Sequence, residues 1–293
     1  MGREAPQLVA AGSGEAGAPE PCTTDRDLAA HFSGEKLYGD DLGPAEIERW
    51  FEEEREGYAD LGARDREKYV YPYHALDRRH LFRFLPAARF PSALSIGGAY
   101  GHELLPLLGR IDEITIVEPS EAFTGSRLGH VPVRYVAPSA SGLLPFADRS
   151  FDLACALSVL HHIPNVSVVL REIHRCLKPG GWALLREPTT SMGDWRRPRR
   201  GLTRHERGLP LQWFRLAVTG AGFQVARETR CLNAVTPRLG KGLPGGAYNS
   251  EFLVTLDSAL TRLISWNRTY HARTLLQRVR PWAVAYVLRK PAA

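Results

Sequence analysis

The sequence predicts an α/β fold: a mostly parallel sheet of seven strands, preceded by a helical cap. Three observations carry this. From Pro91 onward, short β-rich runs alternate with helical segments, the rhythm of βαβ units. Residues 25–88 show helical and aromatic periodicity without that alternation. The composition is that of a globular chain, 44% hydrophobic and 24% charged over 293 residues, enough to bury a sizeable core.

The elements follow in order. Residues 1–24 are rich in Gly, Ala, Pro and Glu without periodicity and are expected to be a disordered tail. Gly43 and Pro44 suit a helix start. Ile47, Trp50, Phe51, Tyr58 and Leu61 then recur at helical spacing, and Glu52, Glu53 and Glu54 between them read as its solvated face. An aromatic stretch with Tyr69, Tyr71, Tyr73 and His74 precedes a helix expected to run to Phe84. Strands are expected at residues 93–96, 113–118, 131–136, 151–157, 182–186, 223–229 and 283–288, with helices of about 8–13 residues between them. The last gap is too long for a structureless loop in a compact domain. There Phe252, Leu256, Leu260, Leu263 and Ile264 predict an amphipathic helix over 251–266, either a cover for the site or a dimer contact.

Composition also excludes. No apolar run approaches the ~18–20 residues of a membrane span, and the N-terminus lacks a secretory pattern. A cytoplasmic protein with no membrane partner is the expectation. Cys22, Cys155, Cys176 and Cys231 form no CxxC pair, so neither a zinc ribbon nor a disulfide framework is expected. The formal charge of +6 is modest beside abundant Asp and Glu, and no nucleic-acid module accompanies it, so a nucleic-acid partner is not expected.

The chemistry lies where strands end. The first strand runs into Gly97, Gly98, Ala99 and Gly101, a glycine turn opening a helix. A dinucleotide fingerprint needs glycines where Ala99 and His102 stand, which argues against a nicotinamide oxidoreductase. The second strand ends in Glu118 and Pro119, a carboxylate able to accept both hydroxyls of a ribose. There follow LPF ending at Phe146, SFDL at 150–153, LHH at 160–162 and LKPGG at 177–181. In this order and spacing, the set over residues 91–188 resembles the class I S-adenosylmethionine-dependent methyltransferases of type 11.

That resemblance implies a Rossmann-like methyltransferase topology, S-adenosylmethionine as cofactor, and a domain at 89–293 with an insertion at about 231–282 between the last two strands. It implies that Gly97, Gly98, Ala99 and Gly101 meet the methionine and ribose portion, and that Glu118 and Pro119 meet the ribose. Ala140 and Ser141 would lie near the adenine, Ser158 and Val159 along the cofactor, and His161 and His162 at the acceptor mouth. Residues 178–181 would be a turn. Three departures stand out. Ser95 occupies a position that is usually acidic, Ala99 replaces a glycine, and Ser139, Ala140 and Ser141 lack the usual Asp. They leave room for a binder without catalysis.

A sulfonium methyl is already activated, so holding donor and acceptor in line is the main task, helped by a base for an oxygen acceptor. His161 and His162 are the candidate bases. No metal-ligand spacing is present, so no metal is expected. Six arginines between 194 and 207 face the site from beyond the fifth strand or answer the acidic helix. Tyr73, His74, Arg204 and His205 are the candidate acceptor residues. The acceptor site is expected between the carboxyl ends of the fourth and fifth strands, roofed by the cap and the insertion. The functional expectation is O-methylation of a small molecule, anionic or sugar-containing, such as a saccharide or secondary metabolite. N-methylation and an inactive cofactor-binding regulator are the alternatives, and the protein is expected to be a monomer or homodimer.

Overall fold

The computed structural model describes residues 25–57, 59 and 65–292. The expected tail, Cys22, Tyr58 and Leu61 lie outside them. Helices α1 (Asp25–Ser33) and α2 (Pro44–Glu54) come first. α2 starts where expected: Pro44 is its first residue, and Glu46 Oε2 accepts from the Gly43 N–H at 3.0 Å. α3 (His74–His80) and a 3₁₀ turn (Phe82–Phe84) lead into the sheet.

Eight strands follow: β1 (Phe90–Ile96), β2 (Ile111–Val117), β3 (Arg127–Leu128), β4 (Val131–Val136), β5 (Phe151–Leu157), β6 (Leu177–Pro188), β7 (Gln224–Cys231) and β8 (Ala283–Arg289). Their spatial order is β3-β4-β2-β1-β5-β6-β8-β7. Pairing is parallel from β4 through β6, while β8 runs antiparallel between β6 and β7. The seven expected strands are all present, and the two-residue β3 is an addition. Its hairpin with β4 occupies a connection where βαβ alternation predicts a helix. The expected turn at 178–181 is a bulge inside β6: pairing with β5 steps from Phe151–Leu177 to Leu153–Trp182.

The sheet separates two cores. Leu94, Ala154, Leu185 and Tyr286 face α4 (Val166–Cys176) and α5 (Leu211–Gly220). Their strand neighbours Ala93, Cys155, Leu184 and Val287 face α3 and α7 (Glu251–Ile264) on the other side. Strands buried on both faces read as near-continuous apolar runs, which is why β1, β5 and β8 were visible in sequence. Chain order reverses between β1 and β5, and that crevice is where such sheets receive ligands.

The amphipathic helix expected at 251–266 is rotated by about one residue from its expected face, although Leu256 still packs against the core. α7 buries Leu253, Val254, Asp257 and Thr261, leaving Phe252 76% and Leu263 73% exposed. Asp257 is the reason: its carboxylate accepts from Leu232 N at 3.0 Å and Asn233 Nδ2 at 2.7 Å, so the polar edge turns inward. Two short helices, α6 (Thr236–Leu239) and α8 (Leu275–Arg278), flank it. No helix is long and apolar enough to cross a membrane among the described residues.

Candidate functional site

The turn after β1 is built from strained backbone. Gly97, Ala99 and Gly101 have φ of 60°, 47° and 75°. A Cβ on Gly97 would overlap Val159, and one on Gly98 would overlap Ser95 Oγ and lie 2.6 Å from Glu103 Oε1. Gly98 is therefore required by a pair beneath it: Ser95 Oγ donates to Glu103 Oε1. Glu103 is buried, and burial pushes its carboxyl up to about 7. An acidic group therefore does stand beside Ser95, contributed by the turn that follows. Residue spacing along a strand could not show this, although Glu103 lies two residues past Gly101.

Glu118 closes the opposite edge. Its carboxylate accepts from Ala99 N at 3.1 Å and Ser120 N at 3.3 Å, and burial raises it to about 7. Two contiguous compartments lie against these groups, sharing Gly97, Pro119, Val159, His162 and Glu54. The narrower one, about 110 Å³, is lined by Ala140, Gly142, Leu144 and Asn165. Asn165 Nδ2 donates to Ser141 O at 2.6 Å, while its buried Oδ1 has no partner among the described residues. The wider one, about 320 Å³, runs past Gly98, Glu103, Ser158, His161, Tyr71, Tyr73, Arg186 and Glu206.

The two histidines sit on a 3₁₀ turn (Leu160–His162). Glu187, at the end of β6 and fully buried, fixes this turn by accepting from Val159 N and Leu160 N, both at 2.9 Å. Arg207 holds the far side, donating to His161 O and Ile163 O at 2.8 Å each. The histidines differ in charge. His161 Nδ1 lies 2.7 Å from Glu187 Oε2, and its Nε2 lies 3.6 Å from Glu206 Oε1. Both partners are acceptors, so both ring nitrogens carry protons. Burial opposes that charge, but the two carboxylates outweigh it and raise His161 to about 9. Glu206 is correspondingly driven down to about 2: burial opposes its charge too, and the His161 bond prevails.

His162 is the neutral member. Burial, then the neighbouring His161 charge, lowers its proton affinity. Its Nδ1 lies 2.9 Å from Glu54 Oε2. Burial works against the Glu54 charge, but the His162 bond leaves that carboxyl below its ordinary value, hence ionised and an acceptor only. The proton of His162 is then on Nδ1, and Nε2 is bare. Trp50 of α2 locks this face of the cap in place, donating Nε1–H to His162 O at 2.7 Å.

At the inner wall, Arg186 is 1% exposed and donates to Asp77 Oδ1 at 2.8 Å, Tyr71 OH at 2.9 Å and Ser158 Oγ at 2.7 Å, with Tyr73 stacked 4.1 Å away. Ser158 itself has φ 62°, strain at the strand tip beside the cavity.

Of the residues expected from sequence, Gly97, Gly98, Glu118, Pro119, Ala140, Ser158, Val159, His161, His162 and Tyr73 line the cleft. The others do not. Ala99 and Gly101 are buried behind the turn, and Ser141 is exposed. His74 Nε2 lies 2.8 Å from His102 O. Arg204 and His205 are both held by Glu53 of α2, and His205 stacks on Trp50. Arg196 pairs with Asp194, while Arg199 and Arg207 donate to loop carbonyls. The loop's cations therefore answer the acidic helix and their own backbone, because those partners lie closer than the cavity. Residues 231–282 contribute nothing to the lining; Asn249 instead braces the cap from behind, accepting from His74 N and donating to Tyr71 O. Glu54, Glu103, Asn165, Arg186, Glu187 and Glu206 were missed in sequence, since each acts through a residue distant in the chain. The tertiary structure also gathers His161, His162 and Glu206, with ligand atoms within 4.8 Å of one another, a grouping that spacing along the sequence does not show. Protonated His161 already neutralises Glu206 there.

Residues 94–185 match the family model described as Methyltransferase domain. Among curated relatives, the ubiquinone/menaquinone biosynthesis C-methyltransferase UbiE of Rubrivivax gelatinosus is 33% identical over 43% of this chain and 50% of its own length. The sterol 4-C-methyltransferase strm-1 of Caenorhabditis elegans is 31% identical over 35% of this chain and 32% of its own. The chain thus spans half or less of the length of these relatives. A solved S-adenosylmethionine-dependent methyltransferase from Mesorhizobium loti aligns with 71% of this chain and 94% of its own, at 16% identity and a TM-score of 0.45. The matched segment carries the motifs in order along strands β1–β6 of the sheet.

Proposed function

We propose that this protein transfers a methyl group from S-adenosylmethionine to an oxygen of a small-molecule acceptor, with His162 as general base. The observation that carries this is the bare Nε2 of His162, fixed by Glu54 in the cavity that also holds Gly97, Gly98 and Glu118.

The residues fit the cofactor. Gly97 and Gly98 leave space where any side chain would overlap Val159 or Ser95. Glu118 keeps lone pairs for the ribose hydroxyls, Glu103 offers a carboxylate to the methionine ammonium, and Asn165 Oδ1 is an unpartnered acceptor at the adenine end. When bound, the cofactor supplies an electrophilic methyl. The chain does the rest. Glu187 and Arg207 hold the histidine turn rigid, and Glu54 sets the tautomer of His162. His162 takes the proton from the acceptor hydroxyl at Nε2, and His161, already charged, keeps the neighbouring site from competing for it. Tyr71, Tyr73 and the cap exclude water. The buried Arg186 carries N–H groups beyond those bonded to Asp77, Tyr71 and Ser158, and suits an acceptor bearing negative charge.

C-methylation is a second reading, favoured by the names of the two relatives above and served by the same base. The test is a methyl-transfer screen with isotopically labelled cofactor, with product NMR to locate the methyl. His162→Gln should keep cofactor affinity and lose about 10²–10⁴ in kcat. An unchanged rate at saturating acceptor would remove His162 from the reaction. Absence of any heat on titration with S-adenosylmethionine or its demethylated product would overturn the cofactor assignment itself.

A further inference from the structure

A second cavity, of about 380 Å³, lies between the end of α3, the outer part of β7 and α7, and shares no lining residue with the cleft described above. Its walls carry the guanidinium groups of Arg79, Arg83, Arg227, Arg230, Arg262 and Arg268. The one carboxylate in the wall, Glu228, is gripped by both Arg215 and the hydroxyl of Tyr286. None of the six lining arginines forms an ion pair among the described residues. Their bonds go to neutral groups: Arg79 Nε to Ser258 Oγ at 2.8 Å, Arg227 Nε to Thr229 Oγ1 at 3.3 Å, and Arg230 to Ser265 O at 2.6 Å.

The array is also held in shape. Phe84 meets the guanidinium carbons of Arg83 at 4.9 Å and Arg227 at 5.0 Å, so two cations lie over one ring. Ser258 and Thr255 fix Arg79 from α7. The field of the cluster is felt by His80: burial and then Arg79, Arg83 and Arg227 lower it to about 4, so it stays neutral and adds no further charge. Like charges gathered in a concave wall repel one another, and an anion removes that repulsion while the fixed forks bind its oxygens.

We propose that this cavity is a binding site for a phosphate-bearing anion of the diphosphate class, separate from the methyl-transfer site. A diphosphate offers two phosphate groups to the six lining arginines, where a monophosphate offers one. The diphosphate comes either free in solution or as the headgroup of a lipid. The second source is raised by the neighbouring exposed face, where Leu263 and Trp266 stand 73% and 68% exposed beside Arg262 and Arg268.

The test uses the full chain and Arg262→Gln/Arg268→Gln, two exposed side chains whose loss leaves the core intact. Calorimetric titration with inorganic diphosphate is run beside sedimentation with phosphatidylcholine vesicles, with and without a long-chain alkyl diphosphate. Binding of inorganic diphosphate that weakens by about tenfold or more in the double variant supports the site with a free ligand. Binding only to the vesicles that carry the alkyl diphosphate, lost in the same variant, supports it with a lipid headgroup. Binding to neither probe at low salt overturns the proposal, as does binding that the double variant leaves unchanged. S-adenosylhomocysteine titration of both proteins should be indistinguishable, which separates this site from the cofactor cleft.

Discussion

Glu187 and Glu206 hold His161 as an imidazolium, and that makes the stability of the fold fall in alkaline solution. His161 is raised from its ordinary 6.5 to about 9. At about 1.4 kcal/mol per tenfold change in proton affinity, this is worth about 3 kcal/mol. The folded value lies above the unfolded one, so the contribution is complete below about pH 6.5 and is lost as pH rises through about 9. The low value of Glu206 is the same attraction seen from its partner and is not added to it. The perturbation is His161→Gln, which removes the titrating ring and retains a polar side chain. Urea unfolding of both proteins from about pH 6 to about pH 10 gives the measurement. The stability difference between them should shrink by about 3 kcal/mol across that interval. Parallel curves would refute the reasoning, and so would an NMR midpoint for the His161 ring at or below its ordinary value.

Three further outcomes follow from the site. Glu118→Ala should weaken S-adenosylmethionine binding by about tenfold to a hundredfold, the worth of charge-assisted hydrogen bonds. Burial holds Glu118 near 7, so wild-type affinity should also rise from about pH 6 to about pH 8 as the carboxyl ionises, and calorimetry checks both. Gly98→Ala should cost about 1–3 kcal/mol by denaturant titration and lose cofactor binding, because its Cβ overlaps Ser95 and crowds Glu103. Arg186→Met should destabilise by about 3–5 kcal/mol, since the Asp77 carboxyl, at 0% exposure, loses its ion-pair partner; Asp77→Asn in that background should recover part of the loss.

The sequence alone determined what short-range physics determines. Strands buried on both faces must be apolar throughout, so β1, β5 and β8 were readable. The turn after β1 needs residues without bulk, so Gly97 and Gly98 announced it. α2 began at Pro44 because proline's missing N–H is one that the first helical turn leaves unpaired anyway, and its fixed φ is already helical. Charge pairing is decided in three dimensions, and there the sequence was silent. Nothing local says that Glu103 answers Ser95, that Glu187 and Glu206 keep His161 protonated, or that Glu54 leaves His162 with a bare nitrogen. The arginine loop and α7 show the same limit from the other side. Both carry a clear pattern, but which face turns inward was settled by partners far along the chain: Glu53 drew Arg204 and His205 away from the cavity, and the backbone of Leu232 drew Asp257 into the core. Periodicity specifies that a helix has two faces, and only the neighbours that fold against it decide which one is buried.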